Sequence, residues 1–234
     1  MKKLICLALS IVCLLFCGMT TIASAAQSLE SDNEIQPLAS DGAPIYGASY
    51  SDLTDYSDVT SYGYINNWNN FTYYYTDDFN EYNNGNNCGP TQVANLLSYY
   101  KSVGYIYAYP GNSITQSYYT NTICPALGYS ASGSISLNDA ADGFETLFES
   151  GASYYSTTVS NKPFLSWNDF KSLINSNKPL LVGYQGHLYL VIGYQTRGGV
   201  NYYVAITAFS QTYQRYALIG YTTTNLNRKA VTIN

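Results

Sequence analysis

The hydrophobic period of this chain changes at Pro179, and that change limits the folds open to it. Before Pro179 the apolar residues recur at helical spacing. Val93, Leu96, Leu97 and Tyr100 follow the i, i+3, i+4, i+7 rule after Cys88, and Pro90 sits where a first helical turn tolerates a missing N–H. Leu137, Ala140, Ala141, Phe144, Leu147 and Phe148 make one face of a second helix, with start signals at Ser136 and Asp139 and Gly151 just past its end. A third runs from Ser166 through Trp167, Phe170, Leu173 and Ile174 and cannot continue beyond Pro179. After Pro179 come four strand-like runs: LLVGY (180–184), HLYLVIGY (187–194), NYYVAIT (201–207) and YALIGYTT (216–223). Helices followed by an antiparallel sheet define an α+β class. A hairpin centred on the TRGG turn at 196–199 sets His187 opposite Ala208, with Thr207 beside it.

The N-terminus divides off a separate segment. Residues 1–25 carry two lysines, an apolar stretch from Leu4 to Phe16 and a small-residue Ala23-Ser24-Ala25 site, the pattern of a secretory signal peptide. Cys17 as a lipid attachment point is disfavoured by the bulky Phe16 before it. Residues 26–60, rich in Ser, Asp and Ala, read as a linker or short propeptide. The folded domain is expected over 61–234, opening on strand-like aromatic stretches such as FTYYY at 71–75. Signal removal takes away Lys2 and Lys3 and no acid, moving the formal charge from −5 to −7. Such a surface repels phosphate backbones and anionic lipid. The mature product is therefore expected to be secreted and monomeric, without nucleic-acid or membrane partners. Polarity is carried largely by 27 tyrosines with Asn, Ser and Thr. Tyrosine suits both strand surfaces and contacts with peptide or glycan, so its abundance does not choose between them.

Two cysteines, Cys88 and Cys124, remain after the signal. Outside the cell such a pair is commonly a disulfide. Cys88 also lies at a helix N-terminus, where free amides and the helix dipole favour a thiolate. The chain's one histidine, His187, opens a strand. A strand histidine is often merely buried, yet an imidazole near a thiol is the usual means of activating it. Cys124 reads as a small buried residue. One histidine and two cysteines fall short of a zinc site. No glycine motif cradles a phosphate, and Asp77, Asp78 and Glu81 read as a solvated edge, so neither metal nor cofactor is expected.

With NCGPTQVANLLSYY around Cys88, FKSLINSNKPLLVGYQGHLYLVIGY leading through His187, and the cysteine ahead of the histidine, the chain resembles the bacterial C39-like branch of the papain-like cysteine peptidases. The resemblance implies a helical half carrying Cys88 packed on an antiparallel sheet half carrying His187. It also implies a peptide or protein substrate, with Cys88 as nucleophile and His187 as general base and then acid. Two family features are missing. The oxyanion glutamine, about six residues before the cysteine, is replaced by Tyr82, with Asn83 or Asn84 as other donors. The Asp or Asn that orients the imidazole is also absent. Thr207, through its hydroxyl, is the expected substitute, with Gln211 or Asn201 in reach if the register slips. Loss of the orienting group would slow the enzyme without abolishing it; the alternatives are a catalytically weak or inactive papain-like protein that binds peptide or glycan, and a purely structural chain stapled by a Cys88–Cys124 bond.

Overall fold

The computed structural model describes residues 45–79, 86–130, 133–151, 157–161, 166–184, 186–209, 211, 214–221 and 227–233. The expected signal segment, most of the expected linker, and Tyr82, Asn83, Asn84 and Glu81 lie outside them. Three helices follow the start and stop signals of the sequence. The helix Cys88–Ser102 begins at the cysteine. Leu137–Gly151 begins after Ser136, whose hydroxyl accepts from Asp139 N–H (3.1 Å) while Ser136 N–H donates back to Asp139 (2.8 Å). Trp167–Asn175 is capped by Ser166 accepting from Asp169 N–H (3.1 Å). A five-residue helix, Tyr50–Thr54, precedes all three. In chain order these are α1 (Tyr50–Thr54), α2 (Cys88–Ser102), α3 (Leu137–Gly151) and α4 (Trp167–Asn175).

Among the described residues the strands are β1 (Ile45–Ala48), β2 (Val59–Tyr64), β3 (Thr157–Asn161), β4 (Leu180–Tyr184), β5 (His187–Arg197), β6 (Val200–Ile206), β7 (Tyr216–Gly220) and β8 (Asn227–Ile233). They form one sheet in the order β1-β7-β6-β5-β4-β8-β3, with β2 also paired to β5. All its pairings are antiparallel. The four strands expected after Pro179 are β4 to β7. β1, β2, β3 and β8 are additions, and β1 and α1 correct the domain boundary. Ile45–Ala48 pairs with β7, and Leu53 of α1 is wholly buried, so the fold starts before residue 61.

The segment 71–75 is not a strand. Asn95 of α2 takes both main-chain groups of Tyr74, accepting from its N–H (2.8 Å) and donating to its carbonyl (3.0 Å), which leaves that residue nothing to offer a neighbouring strand. The β5–β6 hairpin also differs from expectation. Arg197 pairs with Val200, and Gly198 and Gly199 form a two-residue turn at φ +53° and +81°, as a type I′ turn requires. The hairpin centre therefore lies one residue further on, and a register shift between Val191 and Gly193 follows.

α2 is buried on every side from Gly89 to Tyr100. Its apolar face is the expected one, but Thr91, Gln92, Asn95 and Ser98 are buried as well and need partners. A Cβ at Gly89 would stand 2.3 Å from the Ile135 side chain, which would have to shift to admit it. Much of the tyrosine enters the core with its hydroxyl satisfied. Tyr119 is fully buried, stacks on Phe79 at 3.7 Å and shares a hydrogen bond with Thr91 (3.2 Å), and buried Tyr99 donates to the Asn177 carbonyl (3.3 Å).

Candidate active site

The start of α2, which carries Cys88, is held against the start of β5, which carries His187. The clamp is Gln92, one turn after Cys88 and fully buried. Its Nε2 donates to the carbonyls of Leu188 (3.0 Å) and Ile206 (2.7 Å), so the helix start is bonded to β5 next to His187 and to the end of β6. Asn87, also fully buried, donates to the Thr76 carbonyl (2.8 Å), and Thr76 N–H donates to the Ala208 carbonyl (3.1 Å). The residue before the thiol is thereby connected to the residue after Thr207. Replacing Gln92 with methionine keeps the volume and removes this donor from both carbonyls. A loss of about 2 kcal/mol is expected, read from the urea midpoint.

The His187 ring is held on three sides. Nε2 donates to the Thr207 main-chain carbonyl (2.5 Å), Phe209 stacks on its face (4.1 Å between centroids, 21° between planes), and Tyr189 meets it edge-on (4.7 Å). Thr207 is thus beside the ring as expected, but through a different atom. Its hydroxyl donates to the Gln214 carbonyl (2.9 Å) and never faces the imidazole. Gln211 and Asn201 are elsewhere: Gln211 donates to Asp78 (2.8 Å), and Asn201 accepts from Thr196 (2.8 Å) near the hairpin turn. Asp77 and Asp78 form no open carboxylate pair, since Asp78 also accepts from Tyr75 N–H (2.7 Å) and one Asp77 oxygen is buried.

The Cys88 thiol is half-buried, and the N–H groups of Leu188, Gly89 and Cys88 itself favour its thiolate. Burial outweighs them and pushes the thiol above its ordinary pKa of 9.0. His187 is shifted the opposite way, from 6.5 to about 4, by burial that its bond to Thr207 only partly offsets. Burial thus favours a neutral thiol and a neutral imidazole, against the thiolate that the helix start favours. Tyr189 completes the cluster, raised to about 12 by burial and by the charge a Cys88 thiolate would place near it. No hydrogen bond joins thiol and ring among the described residues. Cys124 is a free, fully buried thiol pushed up to about 12 by burial, and Cys88 is free, so the disulfide reading is not realised.

The sequence profile described as Peptidase_C39 like family matches residues 69–224. The chain belongs to this family. The region matched in the C39-like chain holds Cys88, Gln92, His187 and Thr207. Its papain-like α+β fold is similar to the crystal structure of UfSP from C. elegans, with a TM-score of 0.51 and 11% identity over 79% of this chain and 36% of that one. At that identity the likeness is one of fold, and the chain spans little more than a third of that protein. No curated protein matches it. Sequence reasoning missed Gln92, Asn87 and Asn95, the polar anchors of the C39-like site. The available signal for Gln92 and Asn95 was their position on a helix with a long apolar face, where polar residues must either face water or be bonded in the core, whereas Asn87 lies just before that helix.

Proposed function

We propose that this protein is an exported, monomeric cysteine peptidase that hydrolyses peptide bonds in peptide or protein substrates. The supporting observation is that His187 opens the strand that Gln92 ties to the helix presenting Cys88, with Nε2 committed to a carbonyl. A carbonyl only accepts, so Nε2 carries the proton of the neutral ring and Nδ1 keeps its lone pair for the thiol. In the first step Sγ bonds to the substrate carbonyl carbon while the thiol proton passes to Nδ1. The developing oxyanion is met by main-chain N–H at the start of α2, with Tyr82 or Asn83 as the second donor. The imidazolium then protonates the departing amine as the C–N bond breaks. Water, deprotonated by the same nitrogen, hydrolyses the thioester. No cofactor enters these steps. A second reading, a binding protein that kept the fold without turnover, is favoured by the missing hydrogen bond between thiol and ring. Catalytic contacts often tighten only with substrate bound, which favours the first.

Labelling with iodoacetamide and E-64, read by mass spectrometry, tests the proposal. One label per molecule at Cys88, none at Cys124, and loss of E-64 labelling in His187→Gln are expected. Both thiols blocked before reduction would overturn it. Iodoacetamide labelling without E-64 labelling or peptide cleavage would favour the binding reading.

A further inference from the structure

The group that orients His187 in this chain is main chain rather than side chain. We propose that the Thr207 carbonyl, turned toward the ring by the left-handed conformation of Ala208, fixes the Nε2–H tautomer of His187, so that Thr207 and Ala208 are positioning residues for the base. The inference rests on the reading of His187 as the base for its catalytic consequence, but not for the tautomer itself.

Three observations carry it. First, the bond from Nε2 to the Thr207 carbonyl (2.5 Å) permits one direction of donation, since the oxygen has no proton to give. Second, the peptide bearing that oxygen is pinned at both ends. Thr207 N–H donates to the Arg215 carbonyl (3.0 Å), Thr207 Oγ1 donates to the Gln214 carbonyl (2.9 Å), and the Ala208 carbonyl accepts from Thr76 N–H (3.1 Å). Third, Ala208 stands at φ +52° and is buried, a conformation an alanine rarely adopts and one that persists only where its surroundings enforce it. That left-handed residue takes the chain out of the line of β6 directly after Ile206 and Thr207, and Phe209 folds over the imidazole face at 4.1 Å. A strand running straight on would have offered the ring a side chain, as the family's usual Asp or Asn does. Here the bend offers it the peptide oxygen, and the threonine hydroxyl is used to hold that peptide in place.

The chain has a single histidine, so 15N labelling of histidine reports on this ring alone. At neutral pH the intact protein is expected to show a protonated, pyrrole-type Nε2 and an unprotonated, pyridine-type Nδ1. Thr207→Val keeps the side-chain shape and removes the Oγ1 anchor. It is expected to give mixed tautomer signals and to lower kcat on the order of tenfold, with KM changed less than about twofold, a fraction of what positioned proton transfer contributes. Thr207→Ser restores the signals and most of the lost kcat. Ala208→Gly, which accepts the left-handed conformation, keeps the tautomer, whereas Ala208→Val, branched at Cβ, does not. Should Ala208→Val fail to fold, Thr207→Val decides. An Nδ1–H tautomer in the intact protein overturns the proposal, as do wild-type ring signals in folded Thr207→Val. The expected tautomer in a protein that cleaves no peptide leaves the positioning intact and removes the peptidase reading instead.

Discussion

Cys88→Ala is expected to lower kcat/KM for a cleaved peptide on the order of 10⁴-fold or more, and His187→Gln to do nearly the same. The double variant should lose little beyond either single one, because a nucleophile and its base act as a unit. Glutamine suits His187 better than alanine, since the ring fills the space between Phe209 and Tyr189 and a truncated side chain would confound loss of the base with loss of packing. Unchanged circular dichroism and melting temperature for Cys88→Ala would confirm that only chemistry was removed. Substantial turnover in Cys88→Ala would end the thiol mechanism. Activity retained in His187→Gln alone would mean that the N–H groups of Leu188, Gly89 and Cys88 suffice to ionise the sulfur, against the burial that now raises its pKa.

The parts of this arrangement that the sequence discloses are those set by periodicity and capping. The helix on which Cys88 rides, the Ser136 and Ser166 starts and the apolar strands β4 to β7 all announce themselves because their patterns are dictated by the core they bury. β2 (VTSYGY) and β8 (NRKAVTI) are hidden by composition: polar and charged letters in a strand look like a loop until a neighbour takes up the main-chain hydrogen bonds. The aromatic run at 71–75 misleads in the other direction, because Asn95 satisfies Tyr74 in place of a strand. At the site, residue types in a fixed order single out Cys88 and His187 as candidates. The orienting atom does not follow from them, because it depends on a hairpin centre between Gly198 and Gly199, a bulge, and one left-handed alanine, none of which leaves a pattern in side-chain letters. Gln92 is illegible for a related reason. A glutamine on a helix reads as solvated, and only the sheet packed over it shows that its amide holds β5 and β6 together.

The neutral thiol and imidazole give a distinct pH signature. His187 has a folded pKa of about 4 against an ordinary 6.5, so between those values the unfolded chain binds a proton that the folded chain refuses. Stability contributed by this group is therefore complete above pH 6.5, falls as pH drops toward 4, and is gone below it, a loss of about 3 kcal/mol. Cys88 and Cys124 act on the other side. Their folded pKa values are raised, so their contribution is present below the ordinary thiol value of 9.0 and is lost as pH rises past it. Denaturant midpoints should accordingly form a plateau between about pH 6.5 and 9. His187→Gln should lack the decline between pH 6.5 and 4, a difference that isolates the ring from the carboxylates. Catalysis follows the same groups. The neighbours facing the ring are Phe209, which has no charge, and Tyr189, held uncharged by burial, so neither supplies an anion to retain a proton on it. The acid limb of kcat/KM should then lie near pH 4 to 5, with Cys88 alkylation still accelerating above pH 9. An acid limb at 6.5 would mean that the ring is solvated in the working enzyme. A pH-independent alkylation rate down to pH 5 would instead establish a preformed thiolate and imidazolium, and with it a polar environment that outweighs burial at this seam.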